Sequence, residues 1–274
     1  MILLDGKKVS EEIIENIKKE IEEKKLELTL AIIWVGNNEA SGIYIRNKIK
    51  KCDYVGIKTE LYHLEENTTE EQVLNLIDKL NNREDINGII LQSPTPNHIN
   101  SVNCFNHIDY RKDIDGFSSL SAGNLYLGNP YFTSCTPKGI AKLLDYYNIS
   151  LAGKNVVIIN RSNIVGKPLM HLLLSKDATV TVCHSKTKNL TQHIKNADIV
   201  ISAVGIPKFI TADMIKDNAI IVDVGITRLE NKIVGDVDFE NVAAKTSYIS
   251  PVPGGVGPMT IAMILENVLN TKKR

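Results

Sequence analysis

The sequence predicts an α/β protein built as two lobes with a cleft between them. Three observations carry this. A chain of 274 residues exceeds the usual size of one compact domain. Two separate stretches, residues 28 to 92 and 136 to 224, alternate short apolar or β-branched runs with helix-length or loop-length connections. That order is the one parallel strands and their crossovers produce.

In the first stretch, Val9, Ile13, Ile17 and Ile21 recur four apart among Glu and Lys, which predicts an amphipathic helix from residue 10 to about 26. LTLAIIWVG, Leu28 to Gly36, then reads as a buried strand. Residues 39 to 54 read as helix, Lys58 to His63 as extended, and residues 69 to 81 as helix with Val73, Leu74, Ile77 and Leu80 on one face. GIILQ, Gly88 to Gln92, is a short strand halted by Pro94 and Pro96. In the second stretch, Thr136 is placed to cap a helix that Pro137 opens, with Ile140, Leu143, Leu144 and Tyr147 on its buried side. VVII (Val156 to Ile159), TVTV (Thr179 to Val182), DIVI (Asp198 to Ile201) and AIIVDV (Ala219 to Val224) follow as four strands of an abbreviated, Rossmann-like nucleotide-binding sheet. A last helix from about Thr260 carries Ile261, Ile264, Leu265 and Val268 on one stripe and is expected to pack back on the first lobe. The lobes are therefore predicted as 1–138 completed by 260–274, and 139–259.

Composition excludes several classes. Thirty-two basic residues balance thirty-two acidic ones, so no global field gathers nucleic acid. Cys52, Cys104, Cys135 and Cys183 lie far apart and form no CxxC pair, which points to free thiols in a reducing compartment. The amino terminus meets a charge at Asp5 before any apolar segment develops, and no run approaches the ~20 apolar residues that span a bilayer. A cytoplasmic protein without a membrane partner is expected. The six histidines lack a compact ligand pattern, so no metal is expected, and there is no GxSxG nucleophile elbow.

The segment VVIINRSNIVGKPL places a strand, a tight connection and a helix start within fourteen residues. Such a turn points free backbone N–H groups and a helix amino terminus at a pyrophosphate. Where a dinucleotide turn reads GxGxxG, this chain has Asn160, Ser162 and Val165, and only Gly166 survives near the third position. Asn tolerates left-handed backbone better than most substitutes for Gly. An ordinary strand-to-helix connection has the same outline. After the next strand comes Cys183-His184-Ser185-Lys186-Thr187, with no acid to hold a ribose 2′-hydroxyl, while Arg161 stands in the neighbouring turn. Arg161 and Ser185 suit a 2′-phosphate, so NADP is the expected cofactor; a merely solvated Lys186 would leave NAD possible. AVG (Ala203 to Gly205) and DVGIT (Asp223 to Thr227, including Ile226) each follow a strand, and either admits a cofactor close to backbone or is an ordinary tight turn.

EASGIYIRNK places Ser41, Tyr44 and Lys48 on one helical face. An amine beside an aromatic ring suits proton transfer where partial burial lowers its pKa toward neutrality, although YIRNKIKK also reads as the wet side of a surface helix. QSPTP puts the amide of Gln92 at a strand's carboxyl end, where ligands collect. KDIDG offers Asp113 and Asp115, either to bind an amidine-like ring edge or to cap a turn. PVPGGVGPMT holds three glycines and three prolines in ten residues, a loop able to approach a ligand or to act as a hinge.

EASGIYIRNK, DINGIILQSPTP, KDIDGF, SCTPKGI, NRSNIVGKP, CHSKT, SAVG, DVGI and PVPGGVGPMT, in this order, closely resemble the bifunctional methylenetetrahydrofolate dehydrogenase/methenyltetrahydrofolate cyclohydrolase family over essentially the whole chain. The resemblance implies oxidation of 5,10-methylenetetrahydrofolate with NADP, then hydrolysis of the product to 10-formyltetrahydrofolate. It makes Lys48 the catalytic lysine, Tyr44 the pocket tyrosine and Gln92 the polar partner of Lys48. Asp115 becomes the folate-ring anchor, and Pro253, Gly254 and Gly255 border the substrate. Arg161, Ser162 and Ser185 take cofactor phosphate or ribose, with Gly166, Gly205 and Ile226 in the turns around it. A homodimer is also implied. Two departures stand out: Asn160-Arg161-Ser162 where the family usually has GRS, and LQSPTP where it often has VQLPLP, so that Ser93 and Thr95 make the loop more polar. Both weigh on the relative rates of the two reactions. The rival readings are another NAD(P)-dependent oxidoreductase on the same sheet, and a non-catalytic dinucleotide-binding protein, which Asn160 makes conceivable.

Overall fold

A computed structural model describes residues 1–229 and 232–273. From the amino terminus its elements are β1 (Ile2–Leu3), α1 (Gly6–Lys24), β2 (Thr29–Val35), α2 (Glu39–Val55), β3 (Lys58–Leu64), α3 (Glu70–Asn81), β4 (Gly88–Leu91), α4 (Ser101–His107) and α5 (Ser119–Tyr126). There follow α6 (Cys135–Tyr146), β5 (Asn155–Ile159), α7 (Gly166–Leu174), β6 (Thr179–Cys183), α8 (Leu190–Lys195), β7 (Ile199–Ser202), β8 (Ala219–Asp223), β9 (Thr227–Leu229), β10 (Lys232–Val234), α9 (Phe239–Ala243), β11 (Thr246–Ile249) and α10 (Val256–Asn270). Contacts group the chain into two units: Glu12–Ser134 with Ile261–Arg274, and Met1–Glu11 with Cys135–Thr260.

The first of these units holds a three-stranded parallel sheet in the order β3-β2-β4. β2, TLAIIWV, is central and buried along almost its whole length, as a parallel strand covered on both faces must be. Ala31, Ile33 and Val35 pack one face against Val73, Ile77 and Leu80 of α3 and Cys104 and Phe105 of α4. Thr69 opens α3 with a capping box closed by Gln72. In α1 the large apolar residues that are buried are Val9, Ile14, Ile17 and Ile21, and Ile13 is only half-buried. A strict four-residue repeat drifts around a helix of 3.6 residues per turn, so Ile14 rather than Ile13 reaches the core. α1 also begins earlier than its apolar repeat suggests, because Asp5 Oδ1 accepts the N–H of Lys8 at 2.9 Å and caps the first turn.

Helix α10 departs from the expected single stripe. From Ala262 to Leu269 every residue except Glu266 is buried, the mark of a helix enclosed on all sides. Beyond Thr260 it belongs with the β2 unit. There Asn267, 1% exposed, donates its Nδ2 to the carbonyls of Ile114 at 2.8 Å and Thr133 at 3.3 Å.

The second unit is a six-stranded, all-parallel sheet in the order β1-β11-β8-β7-β5-β6. Strands β6 and β7 lie on opposite sides of β5, so the winding reverses there, and doubly wound sheets bind ligands outside the carboxyl ends of strands at such a reversal. The edge strand β1, Ile2↔Tyr248 and Leu3↔Ile249, comes from the amino terminus and has no signal in the sequence beyond two apolar residues. α6 starts at Cys135, so Thr136 does not cap it. Thr136 lies inside the first turn, and its hydroxyl meets that of Thr260 at 3.0 Å.

Asn267→Ala leaves two buried carbonyls without their donor, and a loss of about 2 kcal/mol in unfolding free energy is expected in urea titrations followed by circular dichroism. An unchanged midpoint would show that the two bonds carry no net weight.

Candidate active site

Helix α2 decides where Lys48 points. Its buried residues are Ser41, Gly42, Ile45, Lys48, Cys52 and Val55, one face at helical spacing, and Lys48 is 1% exposed. The wet-face reading of YIRNKIKK therefore fails for this residue. Asn38 fixes the start of α2 by accepting the N–H of Ser41 at 2.9 Å, and Gly56, left-handed at φ 86°, ends it. Trp34 of β2 comes close to Gly42, where an added Cβ would stand 3.2 Å from the indole.

The polar end of Lys48 is met by β4. The β4 ladder extends through Gln92 N, which donates to Ile33 O at 2.8 Å and sets Gln92 at the carboxyl edge of the sheet. Gln92 Nε2 donates to Ser93 O at 2.7 Å, an anchor that turns Oε1 toward Lys48 Nζ, 3.3 Å away. Ser41 Oγ reaches the same Ser93 carbonyl at 3.5 Å. The Lys48 ammonium nitrogen also stands 5.1 Å from the centre of the Tyr44 ring, within cation–π range. One turn on, burial pushes the Cys52 thiol up to about 12 against the smaller opposing pull of Lys48, so it takes no part as a thiolate.

The two acids of KDIDG separate. Asp113 is 1% exposed and accepts from Phe117 N at 3.1 Å, Ser118 N at 2.9 Å and Ser121 Oγ at 2.7 Å, a structural anchor for the start of α5. Asp113 also bridges Ile89 of β4, so the chain that leaves it toward half-buried Asp115 and Gly116 (φ 65°) starts alongside the strand that carries Gln92.

In the six-stranded unit the predicted dinucleotide turn lies at the β5/β7 reversal. Gly166 has the expected close approach: a Cβ there would stand 2.1 Å from Asn160 O. The expected supply of free N–H groups from the helix is not found. Gly166 N donates to Asn160 Oδ1 at 3.1 Å, Lys167 N donates to Ser162 O at 3.0 Å, and Pro168 has no N–H. Nor is Asn160 left-handed; it is absent from the described non-glycine residues of positive φ. Arg161 and Ser185 are both exposed, each two residues past the last paired positions, Ile159 and Cys183, of adjacent strands. Ser162 Oγ accepts Val165 N at 3.1 Å. Gly205 is left-handed at φ 70°, and its carbonyl accepts Thr227 Oγ1 at 3.1 Å; Ile226 is exposed. In the last loop Gly254 has φ 105° and its carbonyl accepts Lys7 N at 2.8 Å, while Gly255 lies so close to Gly6 that a Cβ on Gly6 would meet Gly255 O at 1.9 Å. Gly6 therefore has to be glycine to lie against this loop; a Cβ on Gly255 itself would stand 2.5 Å from Pro251 O, and Pro253 stands exposed nearby.

The family model described as the catalytic domain of tetrahydrofolate dehydrogenase/cyclohydrolase matches residues 4–115, and that of its NAD(P)-binding domain matches residues 134–274. The chain belongs to the tetrahydrofolate dehydrogenase/cyclohydrolase family. It is 52% identical to the bifunctional protein FolD of Agathobacter rectalis, over 99% of both chains. It is similar to the crystal structure of the FolD methylenetetrahydrofolate dehydrogenase/cyclohydrolase of Campylobacter jejuni at 49% identity and TM-score 0.97, covering 100% of this chain and 99% of that one. The Trypanosoma brucei enzyme of the same kind, solved with NADP and an inhibitor, matches at 33% identity and TM-score 0.95 over 100% and 98% of the two chains. The family reading, the α/β fold and the bifunctional enzyme expected from the ordered motifs all stand. Among the described residues no helix is long and apolar enough to cross a membrane.

Two acids to which the sequence analysis gave no role, Asp223 and Asp236, lie beside the AVG and DVG turns. Asp223, at the end of β8, accepts Gly225 N at 3.0 Å and Asp236 N and Val237 N at 2.9 Å each. Asp236, fully buried, accepts Ser202 Oγ at 2.8 Å, Val204 N at 2.7 Å and Ile206 N at 3.0 Å, and so holds the AVG turn around Gly205. Burial pushes the Asp223 carboxyl up to about 6, with the Asp236 charge adding to it and the three N–H donors opposing. An acid whose pKa is raised on folding binds its proton more tightly in the native state, so its contribution is full below the ordinary carboxylate value and is lost as pH rises through about 6. Unfolding free energy of the wild type relative to Asp223→Asn is therefore expected to fall between pH 4 and pH 6 with a slope of up to ~1.4 kcal/mol per pH unit. Urea titrations at three pH values check this; a difference independent of pH would refute it.

Proposed function

We propose that the chain oxidises 5,10-methylenetetrahydrofolate to the 5,10-methenyl cation with NADP and hydrolyses that product to 10-formyltetrahydrofolate, as a cytoplasmic homodimer. The observation that carries the reading is the buried Lys48, held by Gln92 Oε1 at 3.3 Å and flanked by the Tyr44 ring. An amine so deeply placed serves no solvation purpose, and a proton-transfer role accounts for it.

Bound NADP supplies the acceptor for the hydride that leaves the methylene carbon. The residues present suit it: Gly166 permits close packing of α7 on β5, Arg161 and Ser185 each follow the end of adjacent strands by two residues and would serve as a phosphate pair, and Gly205 turns the neighbouring loop. Arg161 offers a planar fork of donors to a 2′-phosphate, which favours NADP over NAD. Asp115 accepts from the N–H groups of the pterin edge, and Tyr44 flanks the aminobenzoate. Orientation by these groups is what the first reaction needs, because the folate nitrogens themselves stabilise the developing cation.

In the second reaction water adds to the methenyl carbon and releases one proton. The hydroxyl proton of the adduct then moves to N5 as the bond between that carbon and N5 breaks. Lys48 relays this transfer, and Gln92, pinned by its own bond to Ser93 O, keeps the amine aligned.

An absorbance assay that follows NADP reduction with 5,10-methylenetetrahydrofolate, then decay of the methenyl species, tests the whole reading. It also separates it from an oxidoreductase indifferent to folate and from a silent dinucleotide binder. Lys48→Met is expected to lower methenyl hydrolysis by at least ~100-fold with an unchanged circular dichroism spectrum. Hydrolysis at the wild-type rate would reject the relay. Asp115→Asn is expected to raise the KM for folate about tenfold and leave the KM for NADP alone. A KM for folate that did not move would remove Asp115 from the ring site.

A further inference from the structure

Asn160 occupies the position where the sequence departs from the family's GRS, and its side chain is the most fully used group in the dinucleotide loop. Oδ1 accepts from Ser162 N at 2.8 Å and from Gly166 N at 3.1 Å, which ties the middle of the loop and the first residue of α7 to the end of β5. Nδ2 donates to Ala203 O at 2.6 Å, which ties β5 to the turn after β7. One carboxamide thus spans the reversal point of the sheet and joins two loops that flank the cofactor in the reading above.

A glycine could make none of these bonds. A loop without them must lose its conformational freedom when ligand binds, and that loss weakens affinity. The residues at stake are Arg161 and Ser162, which stand between the tied positions, and Gly205, which follows Ala203 by two. The helix cannot replace the fastening, since Lys167 N is directed into the loop and Pro168 donates nothing.

We infer that Asn160 is a positioning residue for the dinucleotide: its carboxamide holds the phosphate loop in its receiving shape before the cofactor arrives. The inference rests on the NADP reading of this site. It gives the departure from GRS a positive role in binding.

The test uses the full-length enzyme and two variants. Asn160→Gly restores the family's usual residue, so folding is not at issue. Asn160→Ala removes the same three bonds without adding backbone freedom. Both are expected to raise the KM for NADP about tenfold while kcat at saturating NADP stays within about twofold. Methenyl hydrolysis, assayed without NADP, reports the integrity of the same preparations. A KM for NADP that is unchanged or lower in either variant overturns the inference, as does a loss confined to kcat. If only the glycine variant changes, backbone freedom rather than the carboxamide is responsible and the inference fails. Failure of the underlying reading looks different: the unaltered enzyme would then not reduce NADP with methylenetetrahydrofolate at all.

Discussion

Parallel pairing sends every strand of a sheet out at the same edge, and the backbone that leaves the ladder there has to find partners outside it. In the three-stranded sheet, Gln92 follows Leu91, the last residue of β4 paired with β2. In the six-stranded sheet, Asn160, His184, Ala203, Val224 and Ser250 each come immediately after the last residue of a strand. Backbone groups leaving the ladder there lack regular partners, so side chains supply them: Asn160 Nδ2 to Ala203 O, Thr187 Oγ1 to His184 N, and Ser250 Oγ to Asp223 N. Loops fastened in this way are already shaped before a ligand meets them.

The same constraint explains what was legible. Runs such as TLAIIWV and VVII announce buried parallel strands because nothing but apolar, β-branched composition satisfies two covered faces. The strand order could be read only as far as the alternation of strand and crossover went. β1 escaped because two apolar residues at a chain end have no periodicity, and the continuous burial of α10 was invisible to a search for one stripe. At the site, Lys48 was ambiguous as one residue among lysines. The deciding signal was its phase with Gly42, Ile45, Cys52 and Val55, which places it on the apolar face of α2. Asp113 and Asp115 could not be told apart in sequence, since both stand next to a turn; the N–H groups of Phe117 and Ser118 show that Asp113 is spent on structure.

Glycine is the residue whose meaning changes most between sequence and structure. Gly205 and Gly225 both stand in turns that follow a strand, and both suggest close approach of a cofactor. A Cβ at Gly205 would meet nothing within 4 Å, and its left-handed φ of 70° is the reason for glycine there. At Gly225 a Cβ would stand 2.1 Å from Asp236 Oδ1, and at Gly235 a Cβ would stand 2.0 Å from Asp223 Oδ2. The two buried acids and two glycines are thus reciprocal, each carboxylate filling the space left by the glycine beside the other. DVG (Asp223 to Gly225) and GDV (Gly235 to Val237) use the same three residue types, but the two glycines stand ten positions apart, so no local rule connects them. What connects them is the cost of an unsatisfied buried carboxylate: it must be approached closely by several backbone N–H groups, and only glycine lets the backbone come that near. Asp236 spends its oxygens on Ser202, Val204 and Ile206, so the glycine at 225 shapes the turn at 205 without touching it.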